Sequence, residues 1–439
     1  MMRQPCSESK KLKIKASMRS TKERRSRQRC RVFKVKIDYS HLSRRQRVQL
    51  KMMFVEAKWI KNDRIAWARD NNKSVFDCIR PRKHELVKVR NRYGEIEERE
   101  LKHIGSQMAQ GVVDEMKSNM KTIINLTKKG YQHGGSLKFV SEITSLNLVQ
   151  YGSTYSFKSP RRMKIQGVHG LVRISGASQF LNDPSIELAS AKLIKTPSGY
   201  YVSVSTFTEI EKLPRIPFNG KSIALDLGCS TTIAYSDGRK QSVSIGEDDR
   251  LKRLQRKFAK QQQGSNNRER TRRLIRAQYE RLDNIKNDIA NKIVAELKPY
   301  SAVVIQDEQL SKWKASGHGK AVQHSILGRL KSKLKMMDNT IILASDIPTT
   351  KICMRCGCIH EMKLSDRSFE CGCGEHGDRD THAAQNMLAI AEMLAGHPLS
   401  VPVERREFKR VEFLKAYEKK FSRAYGTLKH EADALLGRR

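Results

Sequence analysis

Acidic residues are in short supply in this chain. Its 439 residues set 46 Asp+Glu against 86 Lys+Arg, for a formal net charge of +40. Only an extended polyanion matches such an excess, and nucleic acid, held by phosphate contacts with counterion release, is the natural partner. A membrane surface is the rival, but no transmembrane-length apolar run, secretory signal or lipidation motif supports it. No fixed-period repeat is visible, which argues against a solenoid. Cysteines are sparse outside one cluster: five of the nine fall between Cys353 and Cys373. Chain length and the lack of a secretory signal disfavour a disulfide framework and suit a reducing cytoplasm. The length allows two or three domains.

What is present is organised around residues 349–386. There Cys353/Cys356 and Cys371/Cys373 form two pairs on tight turns, followed at once by Asp378-Arg379-Asp380 and a helical run from Thr381. Four thiolates so arranged suit a tetrahedral Zn²⁺. The second pair is C-x-C, one residue shorter than the usual C-x-x-C, so Cys358, His360 and His376 stand as local substitutes for the fourth ligand. The plainer alternative is a set of reduced, unmetallated thiols.

Upstream, residues 1–31 hold 12 Lys/Arg and two acids with few large apolar side chains, and read as a basic disordered arm. Phe33, Val35 and Ile37 alternate with Lys34 and Lys36, which predicts a strand with one wet face. Ser43 caps a predicted helix to Ala68, with Leu50, Phe54, Ala57 and Ile60 inward. A loop over 70–94 and a second helix over 95–129, ended by Gly130 and Gly134-Gly135, follow. Short alternating segments occupy 136–208, including Leu137–Ile143, Leu171–Ile174 and a hairpin of Ile186–Ile194 with Tyr200–Phe207. The first strand and this later set should close one β-barrel around a helical insertion, with Arg161, Arg162 and Lys164 on a loop. Residues 213–217 read as a linker.

A new domain begins at Lys221. Ser222–Leu227, Thr231–Ser236 and Gln241–Ile245 predict a three-strand meander with Asp226 on the first strand. Arg250–Arg281 holds 12 Lys/Arg and two acids, and breaks near Gly264-Ser265. Two helices joined there would lay a positive stripe along a phosphate backbone, with Arg253, Arg256, Lys257, Arg272 and Arg273 as candidate contacts. The alternative is a solvated helix face. Then come a helix to Leu297, a buried strand Ser301–Gln306 ending in Asp307-Glu308, a helix Ile326–Met337 and a strand Thr340–Ser345. From Glu404 an amphipathic helix is predicted.

Acids therefore sit at three element ends: Asp226, Asp307/Glu308 and Asp378/Asp380. In an RNase H-like sheet those ends lie together. Hard oxygen ligands of this kind hold Mg²⁺, and two such ions roughly 4 Å apart can activate water and stabilise a leaving 3′ oxygen.

The motifs A-L-D-L-G-C-S-T-T, V-V-I-Q-D-E-Q-L, C-M-R-C-G and D-R-D-T-H-A-A-Q-N, in that order, resemble the RuvC-like nuclease of the transposon-encoded TnpB family and the related compact type V CRISPR effectors. The resemblance implies an α/β plus β-barrel architecture. A wedge (oligonucleotide-binding) barrel, 32–40 and 136–218, would be interrupted by a helical recognition lobe, 41–135. A RuvC-like, RNase H-like nuclease, 219–348 and 377–396, would carry an inserted zinc ribbon, 349–376, and a charged helix or tail, 397–439. It also implies a cytoplasmic, nucleoid-associated prokaryotic RNA-guided DNA endonuclease whose sequence readout is delegated to base pairing. Its partners would be guide RNA and double- and single-stranded target DNA, bound as a monomer or as a homodimer on RNA.

By that resemblance Asp226, Glu308 and Asp380 are the catalytic set, holding two Mg²⁺ beside a structural Zn²⁺. Asp307 is the alternative to Glu308, and Asp378 is the alternative at the third position. His382 replaces the family's Asn, while Asn386 stands where its later Asn belongs. Arg379 and Asn386 join the candidate nucleic-acid contacts. A guided repressor without cleavage, or an unguided transposase or resolvase, are the competing functions.

Overall fold

Alternation builds the first strand, β1 (Gln28–Ile37), in which Val35 and Ile37 are fully buried while Lys34 and Lys36 face out. A computed structural model describes residues 8–91, 93–130, 136–210, 219–228, 233–313, 317–363, 365–399 and 404–421. The chain divides into two units, Met1–Pro214 and Arg215–Arg439. The predicted linker at 213–217 and the Gly134-Gly135 helix stop lie outside the described residues.

Residues 8–26 are not a disordered arm but a helix, α1 (Glu8–Ser26). No Gly or Pro interrupts this stretch, and its Lys and Arg are good helix formers. Its end is pinned by Arg25, which pairs with Glu187 at 2.8 Å and lies over the Phe207 ring at 3.5 Å. Helix α2 (Arg44–Asp70) starts at Ser43, whose side chain and that of Gln46 each bond the other's backbone N–H. Leu50, Phe54, Ala57 and Ile60 form its buried stripe.

The predicted loop over 70–94 and helix from 95 are corrected. A hairpin, β2 (Leu86–Arg90) and β3 (Ile96–Glu100), turns through Gly94 at φ +92°, and helix α3 is confined to Ser106–Lys128. Dense Lys, Arg and Glu mask the alternation of Val87 and Val89. Residues 137–143 form no strand either. The N–H and carbonyl of Val140 are taken by the Asn62 side chain of α2, at 2.9 and 3.0 Å, so no neighbouring strand can pair there.

The barrel strands are instead β4 (Ser145–Leu148), β5 (Tyr155–Ser159), β6 (Arg162–Ile165), β7 (Val172–Ser175), β8 (Glu187–Thr196) and β9 (Gly199–Glu209), with a one-turn helix α4 (Ser178–Leu181) between β7 and β8. With β1 they form one antiparallel sheet, in the order β4-β8-β9-β1-β7-β6-β5. The sheet curls into a nearly closed barrel. The Tyr155 hydroxyl of edge strand β5 donates to the Ala189 carbonyl of β8 at 2.6 Å. Arg162 and Lys164 lie on the exposed face of β6 rather than on a loop, because Met163 and Ile165 between them are fully buried. Helices α2 and α3 share the barrel's core.

The second unit is a six-stranded sheet. Strands β10 (Ser222–Asp226), β11 (Ile233–Tyr235) and β12 (Lys240–Gln241) form the expected antiparallel meander; β13 (Ala302–Gln306) and β14 (Thr340–Leu343) then add in parallel beside β10. The final parallel strand, β17 (Arg406–Phe408), comes from the region read as one amphipathic helix. That helix, α11, is shorter, at Arg410–Lys420. The central strands are buried on both faces, as continuous apolar runs should be. Ala224, Val304 and Leu343 face helices α10 (Arg379–Ala395) and α11. Leu225, Ile305 and Ile342 face α6 (Asn266–Leu297) and α9 (Leu327–Leu334). Helix α5 (Asp249–Lys260) precedes α6, and the short α7 (Leu310–Trp313) and α8 (Gly319–His324) precede α9. A small hairpin, β15 (Ser368–Glu370) with β16 (His376–Asp378), carries the second cysteine pair in its turn. No helix among the described residues is long and apolar enough to cross a membrane.

Candidate carboxylate cluster and cysteine knuckle

Strands β10 and β13 run parallel with Leu225 opposite Ile305, so Asp226 and Glu308 leave the sheet at the same end. Asp380 lies in the first turn of α10, which packs on β10. Acids from three separate segments thus share one neighbourhood. Burial first, then the charges of Asp380 and Glu308, push the Asp226 carboxyl up to about 7, while Arg379 works against the shift. Burial raises Glu308 as well. Arg379 is folded onto Asp380, with Nη2 to Oδ1 at 3.0 Å, and is itself largely covered.

The two alternative acids are committed elsewhere. Oδ1 of Asp307 lies 2.7 Å from Lys331 of α9 and 2.6 Å from Lys335, the C-cap of that helix. Partial burial opposes it, yet these cations hold Asp307 below the usual carboxylate range. Asp378 is the N-cap of α10: its Oδ1 accepts from the N–H groups of Asp380 and Thr381 at 3.1 and 3.0 Å, and its Oδ2 pairs with Lys240 at 2.6 Å.

Among the described residues, Cys353, Cys356, Cys371 and Cys373 are the group whose ligand atoms all lie within 4.8 Å of one another. The three carboxylates do not fall within that distance of one another, and Asp226 feels the charges of the other two. The Sγ atoms of Cys353 and Cys373 are 3.6 Å apart, and those of Cys356 and Cys371 are 3.5 Å apart. A tetrahedron of thiolates about zinc has edges of about 3.8 Å, so the donor set fits the ion. Cys373 therefore sits with the other three despite the shortened spacing, and Cys358, His360 and His376 lie outside the group. The first turn needs Gly357 at φ +81°, where a Cβ would meet the Phe421 ring at 2.7 Å.

Asn386 is not placed to meet nucleic acid. It is buried, and its Nδ2 donates to the carbonyls of Thr349 and Ile352 at 2.8 and 2.6 Å. His382 is buried too, stacked on Phe369 at 3.7 Å with Nε2 against the Ile352 carbonyl at 3.2 Å. Both side chains join α10 to the knuckle. The pattern A-A-x-N gave a helix but not which face it buries. Arg253, Arg256 and Lys257 project from α5 into solvent, whereas Arg272 and Arg273 of α6 share Glu269 at 2.7 and 3.6 Å.

Two family models match separate stretches of the chain. The family model for a probable transposase, OrfB_IS605, matches residues 205–311, which hold Asp226 and Glu308. The Cas12f1-like TNB domain model matches 324–387, which hold the four cysteines and Asp380. A protein of Streptomyces pristinaespiralis named putative RNA-guided DNA endonuclease is 26% identical over 184 residues, 39% of this chain and 46% of that protein. The putative RNA-guided DNA endonuclease InsQ of Escherichia coli K12 is 26% identical over 276 residues, 56% of this chain and 67% of that one. A cryo-EM structure of a Cas12f1–sgRNA–target DNA complex matches at 12% identity and a TM-score of 0.35, covering 64% of this chain and 70% of that one. The chain spans just under half the length of the first of these relatives, at 46%. By sequence, the chain is similar to the transposon-encoded TnpB family and to the compact type V effectors, as its motifs implied.

Proposed function

We propose that the chain is an RNA-guided DNA endonuclease with a RuvC-like active site of Asp226, Glu308 and Asp380. The observation that carries this reading is the convergence of three acids at one end of the sheet, with Asp226 pushed up by burial and by its acidic neighbours. Buried carboxylates that repel one another are costly unless cations bind between them. Asp226, Glu308 and Asp380 would hold Mg²⁺, a hard cation that prefers oxygen ligands and keeps several of its waters. When bound, it would supply an activated water and charge stabilisation for the departing 3′ oxygen.

This chain's own side chains set up that chemistry. Lys331 and Lys335 withdraw Asp307, leaving Glu308 as the second ligand. Asp378 caps α10 and fixes the turn that presents Asp380. Arg379 offsets the Asp380 charge from 3.0 Å. The cysteine group would hold a structural Zn²⁺ and stiffen the approach to α10. The barrel with its helical insertion would serve as wedge and recognition lobe, and the exposed cations of α5 would follow a phosphate backbone. Guide RNA and target DNA are the proposed partners.

The test is purification with co-expressed RNA, followed by a plasmid-library cleavage assay with Mg²⁺. Cleavage that Asp226→Ala abolishes is expected. No cleavage, or cleavage indifferent to that substitution, would overturn the reading, and binding without cutting would point to a guided repressor.

A further inference from the structure

Four buried polar side chains at the foot of the cysteine knuckle form a continuous network that the carboxylate chemistry does not use. Gln306, the last residue of β13, donates through Nε2 to the carbonyls of Ala344 and Ile347 at 3.0 and 2.7 Å. Its Oε1 accepts from the Thr349 hydroxyl at 2.8 Å. The Thr349 carbonyl in turn accepts from Asn386 of α10, which also bonds Ile352. His382 closes the network on the same Ile352 carbonyl, one residue before Cys353. Gln306, Thr349, His382 and Asn386 are each at most 5% exposed.

The network's position is what matters. Gln306 stands two residues before Glu308. Asn386 stands six residues after Asp380, about 9 Å along the helix. The knuckle root between them therefore ties the strand that ends at Glu308 to the helix that starts at Asp380. In a buried polar network of this kind a shift would leave donors or acceptors without partners, so the arrangement resists sliding. An apolar contact at the same place would tolerate sliding.

We infer that Gln306, Thr349 and Asn386 are positioning residues, through which the folded cysteine knuckle sets the spacing of Glu308 and Asp380 and hence the divalent-cation affinity of the carboxylates. The inference rests on the reading of those acids as a cation site. Its test is direct Mn²⁺ titration of the full chain, beside zinc content by chelator release and the Mg²⁺ dependence of cleavage. Thr349→Val keeps the side chain's shape and removes the hydroxyl. It should retain one zinc per chain and raise the half-saturating Mn²⁺ and Mg²⁺ roughly fivefold, the effect of one lost hydrogen bond. Thr349→Ser should restore both. Asn386→Ala should have a larger effect of the same kind.

A purely structural role predicts lower thermal stability with unchanged half-saturation in zinc-replete Thr349→Val, and that result would overturn the inference. If Asn386→Ala fails to fold, Thr349→Val and Thr349→Ser still decide the question. A wild-type chain that binds no Mn²⁺ would remove the carboxylate reading itself. Wild-type binding with unaltered variants would remove only the network's role.

Discussion

Asp307 and Glu308 are neighbours in sequence held differently: the Asp307 carboxylate is clamped by Lys331 and Lys335 at 2.7 and 2.6 Å, while burial raises the Glu308 carboxyl against the pull of Lys331. Glu308→Gln should therefore cut single-turnover DNA cleavage by about 100-fold or more, the effect of losing a charged cation ligand. Asp307→Asn should cost less than about tenfold. Its main effect would be on stability, at about 1 kcal/mol or less, because its ion pairs are partly solvent-exposed. Equal loss in the two variants would refute the assignment.

The raised Asp226 carboxyl has a pH consequence for protein free of Mg²⁺. A carboxyl whose folded value is near 7, against 3.8 unfolded, binds its proton more tightly when folded. Its contribution to stability is complete below about 4 and is lost as pH rises through about 7. The melting temperature of wild type minus that of Asp226→Asn should therefore fall between pH 5 and pH 8. A drop of roughly 3–6 °C is expected if about 1–2 kcal/mol is involved, allowing for hydration of the partly exposed group. Mg²⁺ should shrink the drop, since cations favour the ionised form. Scanning calorimetry with and without Mg²⁺ checks both, and a difference that rises with pH would contradict the placement of Asp226.

Much of this arrangement was legible because it rests on local patterns. Runs such as Ala302–Gln306 are short and rich in β-branched residues, as strands buried on both faces are, and the acids beyond them mark sheet ends. The Ser43 cap and the cysteine turns carry their own chemistry. The β2–β3 hairpin and β17 were hidden by charge, since Glu97, Glu98 and Arg99, or Arg405 and Arg406, leave no apolar rhythm to read. Asn386 misled for a different reason. A polar residue on a helix has no sequence mark for burial, and its partners are backbone carbonyls contributed 34 and 37 residues away. The Lys331/Lys335 clamp on Asp307 did have a signal, two lysines at i and i+4, but its target is set by tertiary packing.

The C-x-C turn bears on zinc directly. Cys373→Ser should lose the ion or weaken its retention by orders of magnitude, because it removes one of four thiolates already at ligand spacing. Cys358→Ser and His376→Ala should each retain one zinc per chain. Chelator-competition measurement separates these outcomes. Loss of zinc from Cys358→Ser with retention in Cys373→Ser would show that the fourth ligand is Cys358.

The basic helices make distinguishable contributions. Arg253, Arg256 and Lys257 are exposed on α5, and among the described residues no acid is within ion-pair distance of them. Arg272 and Arg273 already share Glu269, so a phosphate must compete for them. Each α5 cation that meets a phosphate releases counterions. Replacing all three by Gln should then lower the slope of log affinity against log salt for double-stranded nucleic acid by about 0.9 per contact, or about 2.7 in total. The double substitution Arg272→Gln with Arg273→Gln should change it by less than about 1. Fluorescence anisotropy across a salt series provides the slopes. An unchanged slope in the α5 variant, at unaltered thermal stability, would mean that this face is simply solvated and that the excess positive charge acts elsewhere on the chain.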